Sequence, residues 1–296
     1  MPHGGYAWWY LDAISDDGSQ ACTVIGFIGS VFSPYYAWAN RNAPADPERF
    51  CAINAVLYGR RAGRWAMTER SNKSLTRRAD RLQIGRSTLA WVGGALHATI
   101  DERSAPLPRP LRGRILLQPE AIQPASFPLD AAGRHRWHPV APRARVRVEF
   151  DDPKTAWSGH GYFDTNDGDR PLGEDFTAWH WSRGGGKILY DVTRRDGSVF
   201  GLALQIGADG SARTFNPPPL QTLPSGLWRV PRVTRADPGC TPRVLETLED
   251  APFYARSVIA TSLAGEAVTC MHESLSLARF GQPWVRMLLP FRMPRW

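Results

Sequence analysis

Residues 157–168 organise this chain, and they read Trp157-Ser158-Gly159-His160-Gly161-Tyr162-Phe163-Asp164-Thr165-Asn166-Asp167-Gly168. The run favours a strand that enters a tight turn, because Asp, Asn and Gly bond their own backbone or accept a positive φ. Side chains alternate along a strand, so His160, Tyr162 and Asp164 share one face. An imidazole, a phenol and a carboxyl group in a row can serve acid–base chemistry. The plainer interpretation, in which Asp164 opens the turn and His160 is an ordinary strand histidine, stays open from this stretch alone.

A similar pattern stands near the N-terminus, where the chain reads Tyr6-Ala7-Trp8-Trp9-Tyr10-Leu11-Asp12 before a turn closed by Asp16-Asp17-Gly18. Both copies run from aromatic residues through a Tyr and a bulky apolar residue to an Asp. Each copy opens one half of the 296 residues, which predicts a tandem duplication. Tyr6, Trp8, Tyr10 and Asp12 fall on one face, so we expect two related sheets around a shared pocket.

The bulk composition is that of a globular protein. A chain of 296 residues can build one large or two medium domains. With 43% hydrophobic and 22% charged residues it is ordinary, and no apolar run reaches the ~18 residues of a membrane span. The cysteines form no Cys-x-x-Cys pair. We expect all four to be buried free thiols of a reducing compartment: Cys22, Cys51, Cys240 and Cys270.

The net charge of +8 is carried almost wholly by arginine. A coding bias toward Arg explains it, and so does attraction to an anionic surface. No nucleic-acid motif appears, so nucleic acid is not expected as a partner; a membrane surface fits better, because a basic residue near anionic lipid gains about 1 kcal/mol. Residues 60–86 hold nine basic residues against Glu69 and Asp80. They are either a solvated face or the flank of a pocket that opens toward lipid.

Short runs rich in Val, Ile, Trp and Tyr, separated by Gly, Pro, Asp or Asn, predict an all-β chain with little helix. We place one β-domain at residues 1–135 and a second at 136–296, joined by the Pro-rich stretch 123–142. Leu172–Ala178 is the predicted short helix. Ser33–Asn40 is too aromatic for a solvated loop, and it is either a plug or a pocket lid.

Motifs for nucleotide, metal and covalent-serine chemistry are absent. Gly184-Gly185-Gly186-Lys187 lacks the leading Gly and the following Ser or Thr of a phosphate loop. There is no dinucleotide fingerprint and no Gly-x-Ser-x-Gly. His135 and His138 are three residues apart, but Pro139 argues against the helix that a shared metal needs. We therefore expect neither a cofactor nor a metal.

Long stretches of the chain match one family: Gly4–Tyr10, Phe27–Trp38, Trp65–Arg70, Gly133–Trp137, Trp157–Gly168, Trp179–Arg183, His272–Leu275 and Leu289–Arg295. Over nearly its whole length the chain resembles the carotenoid 1,2-hydratases, also called hydroxyneurosporene synthases. The resemblance implies two tandem lipocalin-like antiparallel β-barrel or sandwich domains. It also implies cofactor-independent addition of water to the terminal double bond of an acyclic carotene such as neurosporene or lycopene. The proton donor it implies is Asp164, with Asp12 a partner or a remnant.

Protonation must start such a reaction, because an isolated alkene has no polar group through which the enzyme could activate it. An acid that donates near neutral pH must be protonated there, and for an Asp with an ordinary pKa of ~3.9 this costs about 4 kcal/mol, which burial can supply. Aromatic faces offset a cation by ~2 kcal/mol each. His160, Tyr162 and Glu273 are candidates for water capture. The candidates for holding substrate or cation, each also explicable as core packing, are Trp8, Trp9, Tyr10, Asp12, Tyr35, Tyr36, Trp179, Trp181 and Glu273.

Composition alone does not exclude two other functions. One is a lipocalin-like carrier of an apolar ligand, and the other is a pocket enzyme that guides polyene cyclisation. For the hydratase we expect an acyclic carotenoid and water as partners, and a peripheral location on the cytoplasmic side of a membrane.

Overall fold

The computed structural model describes residues 1–59 and 63–295. The chain is mostly β, as predicted, with one nearly closed barrel sheet and a second sheet. It divides into two compact units. The first holds Met1–Pro171 with the C-terminal segment from Met287, and the second holds Leu172–Arg286. This division differs from the boundary expected after residue 135.

The first unit contains a sheet of twelve strands, which are β1 (Tyr6–Ser15), β2 (Ala21–Ile28), β3 (Cys51–Tyr58), β4 (Arg64–Arg70), β5 (Leu75–Arg78), β6 (Arg81–Ile84), β7 (Ser87–Val92), β8 (Ala95–Arg103), β9 (Pro110–Pro119), β10 (Phe127–Pro128), β11 (His135–Asp152) and β12 (Lys154–Gly168). A short helix, α1 (Pro34–Ala39), follows β2. Single 3₁₀ turns lie at Pro47–Arg49, Asn72–Ser74 and Leu289–Phe291.

The second unit contains a seven-stranded sheet and a two-stranded ribbon. After α2 (Leu172–Asp175) come β13 (Phe176–Gly184), β14 (Lys187–Arg194), β15 (Val199–Ile206), β16 (Ala212–Thr214), the ribbon β17 (Leu220–Leu223) and β18 (Arg232–Arg235), then β19 (Arg243–Asp250), β20 (Tyr254–Leu263), β21 (Glu266–Ser276), α3 (Leu277–Phe280) and α4 (Pro283–Leu288). The predicted helix at Leu172–Ala178 is therefore real but ends three residues early.

The two aromatic strands are neighbours in one sheet. In the first sheet the order is β4-β3-β2-β1-β12-β11-β9-β8-β7-β6-β5, with β10 beside β11. β1 pairs antiparallel with β12 from Tyr6 opposite Gly168 to Ser15 opposite Gly159. The expectation that each strand opens one half of a duplicated chain is thus wrong. Their residues resemble each other because both strands line the same face of one sheet.

The two sheets nevertheless share a connection pattern. In the second sheet the order is β16-β15-β14-β13-β21-β20-β19. There β13 lies between β14 and β21, as β1 lies between β2 and β12. The counterpart of β1 is therefore β13, whose sequence keeps aromatic residues at Trp179 and Trp181 but carries no Asp.

Residues 135–142 are a strand, although their prolines suggested an irregular connection. β11 pairs with β12 on one side and with β9 on the other. Its register with β12 shifts between His138 and Ala141 and again before Ala144. A bulge accommodates residues that cannot continue a regular ladder, so the prolines are absorbed without ending the strand. This strand is why the first unit extends beyond residue 135.

One face of the first sheet forms an apolar core. Buried side chains from strands all around the sheet meet in it, among them Leu11, Ile53, Leu82, Leu96, Ile115 and Phe163. Packing is close: a Cβ on Gly26 of β2 would lie 2.6 Å from Leu82 Cδ2 of β6. Each large apolar side chain buried this way contributes roughly 1.5–3 kcal/mol. The opposite face of the sheet carries the residues of the candidate site.

Helix α1 lies within the stretch Ser33–Asn40, which was interpreted as either a plug or a pocket lid. Ser33 caps it by accepting from the Tyr36 amide, and Pro34 stands in its first turn, where the missing N–H costs nothing. Of the four cysteines, Cys22, Cys51 and Cys270 are buried as predicted, whereas Cys240 is only half-buried. The residues Arg60 and Arg61 of the predicted basic face lie outside the described part of the chain.

The C-terminal segment is tied to the first sheet through Glu69. The Glu69 amide donates to the Pro294 carbonyl at 2.9 Å, and Arg295 Nη1 donates to Glu69 Oε1 at 3.0 Å. Arg295 also lies over the Phe50 ring, 4.6 Å from its centroid. Burial raises the pKa of Glu69 to about 7, against the lowering effects of Ser33 and Arg295. Tyr35 and Cys51 are the other titratable groups near this carboxyl.

This pKa predicts a pH-dependent stability. The pKa of Glu69 is about 7 in the folded chain and 4.5 at its ordinary value, so the folded chain binds this proton more tightly. The stability that the bound proton contributes is full below the lower pKa and is lost as pH rises through the higher pKa. Between about pH 5 and pH 8 the free energy of unfolding should fall by about 3 kcal/mol more in the wild type than in Glu69→Gln. Urea denaturation across this range measures it. The exposed Glu120→Gln serves as control, and parallel curves for wild type and Glu69→Gln would contradict the assignment.

Candidate active site

A buried carboxyl group lies at the centre of the outer face of the first sheet. Asp164 of β12 accepts two hydrogen bonds at the same oxygen, Oδ2. The Tyr162 hydroxyl donates at 2.8 Å and the Trp137 indole Nε1 donates at 2.9 Å. All three side chains are buried. The predicted pair Tyr162 and Asp164 is thus brought together, and a tryptophan completes it.

Strand register explains how the three side chains meet. Tyr162 and Asp164 are two residues apart in β12 and so point the same way. On β11, His138 pairs with Thr165 and Ala141 pairs with Phe163. Two residues of β11 therefore face the single residue Asp164. Such a bulge twists the strand and re-aims neighbouring side chains, and here it lies beside Trp137.

Strand β1, on the other side of β12, also contributes side chains near Asp164. Tyr10 is the Cα partner of Asp164 and Asp12 is the partner of Tyr162, so both share the outer face, as predicted. The Tyr10 and Tyr162 rings meet edge to face, with centroids 6.1 Å apart. Asp12 is fully buried. Asp164 therefore shares this face of the sheet with Tyr162, Trp137, Tyr10 and Asp12.

A second polar pair lies farther along this face. The Tyr6 hydroxyl and His135 Nδ1 are 2.9 Å apart, and Trp8 stacks on Tyr6 with centroids separated by 5.0 Å. The bond passes over Gly168: a Cβ there would lie 2.3 Å from Tyr6 Cε1 and 2.9 Å from His135 Nδ1. The absence of a side chain at this position is what lets Tyr6 reach the imidazole.

An open cavity adjoins this pair. It has a volume of about 310 Å³, and the residues around it include Tyr6, Trp8, Trp9, Arg136, Asn166 and Asp167. Arg136 binds Asp167 and Asp169. The lining of this cavity therefore combines aromatic residues with an Arg–Asp ion pair.

Several predicted site residues lie elsewhere in the first unit. Trp9 points to the apolar core, edge to face with Phe163 at 5.8 Å. His160 is exposed, 3.6 Å from Asp16, so it does not join Asp164. Tyr36 is buried and donates to the Gly5 carbonyl at 2.7 Å. Tyr35 donates to the Met293 carbonyl at 3.3 Å. These tyrosines hold chain segments together, as a packed plug does.

The remaining predicted residues belong to the second unit. Trp179 and Trp181 are buried on β13, and Glu273 of β21 is the Cα partner of Trp181. The Glu273 carboxylate accepts a hydrogen bond from the buried guanidinium of Arg256. A carboxylate held this way is a poor base, because its partner stabilises the charged form. Glu273 as a water-activating group stays a prediction.

On the opposite face of β13 and β21 runs a chain of hydrogen bonds. Ser182 Oγ bonds His272 Nδ1 at 2.8 Å, His272 Nε2 bonds Ser274 Oγ at 3.0 Å, and Ser274 Oγ bonds His180 Nδ1 at 2.9 Å. Burial lowers the pKa of His180 to about 4 and that of His272 to about 3. Both imidazoles are therefore neutral at neutral pH and act as structural bridges in the interior of this sheet.

Trp137 and His135 are the site residues that sequence reasoning missed. Their stretch was interpreted as a connection between domains because of Pro139 and Pro142. The alternation of His135 and Trp137, which places both on one face of a strand, was the available signal. Within the described ranges, no three His, Cys, Asp or Glu side chains gather as a metal site.

Comparison with known proteins identifies the family. Residues 24–296 match the family model described as carotenoid hydratase CrtC. The chain is 52% identical to the acyclic carotenoid 1,2-hydratase of Thiocapsa roseopersicina over 99% of its own length and 73% of the relative's. It is 47% identical to the enzyme of the same name from Rubrivivax gelatinosus, over 100% and 74%.

The crystal structure of kievitone hydratase from Nectria haematococca has a similar fold, with a TM-score of 0.56 and 9% identity, covering 95% of this chain and 92% of the other. At that identity the likeness concerns the fold alone. The sequence matches concern the family, and on them the chain belongs to the carotenoid hydratases and is an enzyme of the hydratase class.

Proposed function

We propose that this chain adds water across the terminal C1–C2 double bond of an acyclic carotene, such as neurosporene or lycopene, with Asp164 as the proton donor. The observation that carries the proposal is the buried Asp164 carboxyl group with two neutral donors on one of its oxygens. The names of the relatives support the substrate class.

The two hydrogen bonds are compatible with a protonated acid, and burial is what favours that state. Trp137 and Tyr162 both engage Oδ2, so Oδ2 acts as the carbonyl oxygen and the acidic proton is carried on Oδ1. Once that proton leaves, the same two donors stabilise the carboxylate, by about 1.5–3 kcal/mol each for bonds to a charged acceptor. The site thus supports both states of the acid without rearrangement.

Protonation then proceeds with a defined regiochemistry. The alkene π electrons take the Asp164 proton at C2, the less substituted carbon, and leave a tertiary cation at C1. The Tyr10, Tyr162 and Trp137 rings lie around this carboxyl group. Aromatic faces offset a desolvated cation by about 2 kcal/mol each, and the new Asp164 carboxylate adds its own charge. The cation forms where it is best stabilised.

Water completes the reaction and restores the catalyst. Its oxygen forms the C–O bond at C1, and the resulting oxonium returns one proton to the Asp164 carboxylate. The balance is one water added: one C–H and one C–O bond form, and the π bond and one O–H bond of the water break. We assign the orienting of this water to Tyr162, the predicted water-capture candidate whose hydroxyl lies against Asp164. No cofactor enters the balance.

The substrate class also bears on where the protein works. A C40 hydrocarbon stays in lipid, so the enzyme meets it at a membrane surface, and we propose a peripheral protein on the cytoplasmic side. Among residues 1–59 and 63–295 no helix has the length and apolar character to cross a membrane. Of the predicted basic face, Arg77, Arg78 and Arg81 are exposed on the β5–β6 hairpin, where they can face anionic lipid.

Asp164→Asn should abolish hydration while the fold and substrate binding persist, because the amide cannot donate this proton. Acid–base catalysis is worth about 10²- to 10⁴-fold, so a loss in this range or larger is expected. Asp12→Asn, buried on the same face, is the matched control and should lose less. Turnover of lycopene, followed as a mass gain of one water, is the readout. Wild-type turnover in Asp164→Asn would exclude the proton-donor role, and equal loss in both variants would indicate a coupled carboxyl pair.

Gly168→Ala should lower the rate by disturbing the Tyr6–His135 pair beside the cavity. The added Cβ pushes Tyr6 away from the imidazole, so we expect at least a roughly tenfold loss, equivalent to about one hydrogen bond of 1.4 kcal/mol. Tyr6→Phe removes the same bond without the clash and should give a similar loss. Gly173→Ala, whose Cβ meets nothing within 4 Å, controls for the substitution itself. If Tyr6→Phe turns over normally, the Tyr6–His135 bond does not contribute to turnover.

Exhaustive chelation should leave hydration unchanged. The sequence has no nucleotide or flavin motif, and no metal-ligand set gathers among the described residues. Turnover is measured before and after treatment with a chelator, with each divalent metal then added back. Lost activity that one specific metal restores would contradict the cofactor-free reaction.

A further inference from the structure

The second unit displays a small apolar surface that its fold does not need. Leu227 is 87% exposed, and beside it Trp228 is 38% exposed and Trp284 46% exposed. The two indoles stack with centroids 6.2 Å apart. Single exposed apolar residues are common, but two stacked tryptophans beside a leucine form a continuous patch. We call these three residues the tryptophan platform.

The platform is held in shape by bonds to its backbone. The Leu227 amide donates to Asp250 Oδ2 at 2.5 Å, and Arg279 donates to the Trp228 carbonyl. The next residue, Arg229, has a φ of +52°, a left-handed conformation that costs a non-glycine residue about 1 kcal/mol. Its amide bonds the Gly226 carbonyl at 3.1 Å. The loop is therefore fixed in a shape that presents apolar side chains outward.

Basic side chains lie beside the platform. Arg229 is exposed next to Trp228, and Arg286 of α4 lies over the Phe280 ring, 5.3 Å from its centroid. The nearby carboxylate Asp250 is turned inward to the Leu227 amide. Indoles prefer the boundary between water and hydrocarbon, and arginines reach lipid phosphate while their stems lie along apolar surface.

We propose that the tryptophan platform docks the enzyme on an anionic lipid bilayer. Three side chains offer far less than the ~1,200 Å² of a stable protein complex, whereas shallow insertion into a bilayer needs only a few apolar groups with basic neighbours. The proposal rests on the proposed function in one respect, namely that the substrate is dissolved in lipid. The platform then brings the enzyme to its substrate.

Co-sedimentation with vesicles of phosphatidylcholine and phosphatidylglycerol tests this surface. The variant Leu227→Ser/Trp228→Ser/Trp284→Ser should lower the partition coefficient at least roughly tenfold, since three apolar groups leave the interface. A matched control replaces exposed apolar residues at other places by serine: Val92, Leu107 and Val199. It should bind as the wild type does. Equal binding by the platform variant and the wild type would overturn the proposal.

A second comparison separates the platform from the hairpin arginines. Arg77→Gln/Arg78→Gln/Arg81→Gln should weaken binding at low salt only, because screening removes their contribution at high salt. Loss in the platform variant should persist at high salt. If instead only the hairpin variant loses binding at both salt concentrations, the docking surface is the hairpin, and the platform assignment fails.

A label at Leu227 checks insertion directly. In Leu227→Cys/Cys240→Ser the three remaining native cysteines are buried, so an environment-sensitive dye reports this position. Lipids carrying a quencher near the headgroup should quench it on vesicle binding, and absence of quenching would overturn the proposal. Light scattering of the platform variant adds a further outcome. If the platform substitutions dissociate an oligomer that the wild type forms, and vesicle binding stays intact, the platform is a protein contact.

Activity on detergent-dispersed lycopene distinguishes this proposal from the proposed function. The platform variant should hydrate substrate in detergent at the wild-type rate and lose rate only with substrate in vesicles. A wild type that binds vesicles through the platform but hydrates nothing would contradict the proposed function and leave the docking surface standing.

Discussion

The proposed chemistry depends on one constraint, the alignment of β1, β12 and β11. Tyr162 and Asp164 share a face because they are two residues apart in β12, and the register of β11 then brings Trp137 from the next strand to the same oxygen. The bulge in β11 opposite Asp164 is part of that alignment. A slip of one residue would turn the carboxyl group into the apolar core. The curled sheet, with its other face filled by Leu and Ile side chains, prevents that slip.

The sequence predicted the β class, the short helix at Leu172 and the shared face of Tyr162 and Asp164, because each rests on local patterns. Alternation with period two places Tyr10 and Asp12 on the same face, and the structure agrees. The pairing of the two aromatic strands was not predictable in this way. Strands that line one environment have similar residues, and similarity alone does not distinguish a repeat from a neighbour.

Trp137 and His135 were missed for a different reason. Proline-rich sequence normally argues against a central strand, so residues 123–142 suggested a connection. In the structure, register shifts along β11 absorb those prolines, and the strand stays paired on both sides. His160, by contrast, was included from periodicity alone. It lies on the same strand face as Tyr162 but is exposed, and periodicity contains no information about burial.

The central claim is that Asp164 is a protonated acid in the resting enzyme. Infrared difference spectroscopy at neutral pH, comparing the chain with its Asp164→Asn variant, tests it most directly. Both proteins should carry Glu69→Gln, because burial raises the pKa of Glu69 to about 7 and its carboxyl absorbs in the same region. The account predicts a carbonyl band of a protonated carboxyl group that disappears in the variant. Loss of carboxylate bands instead, with the protonated region unchanged, would contradict it.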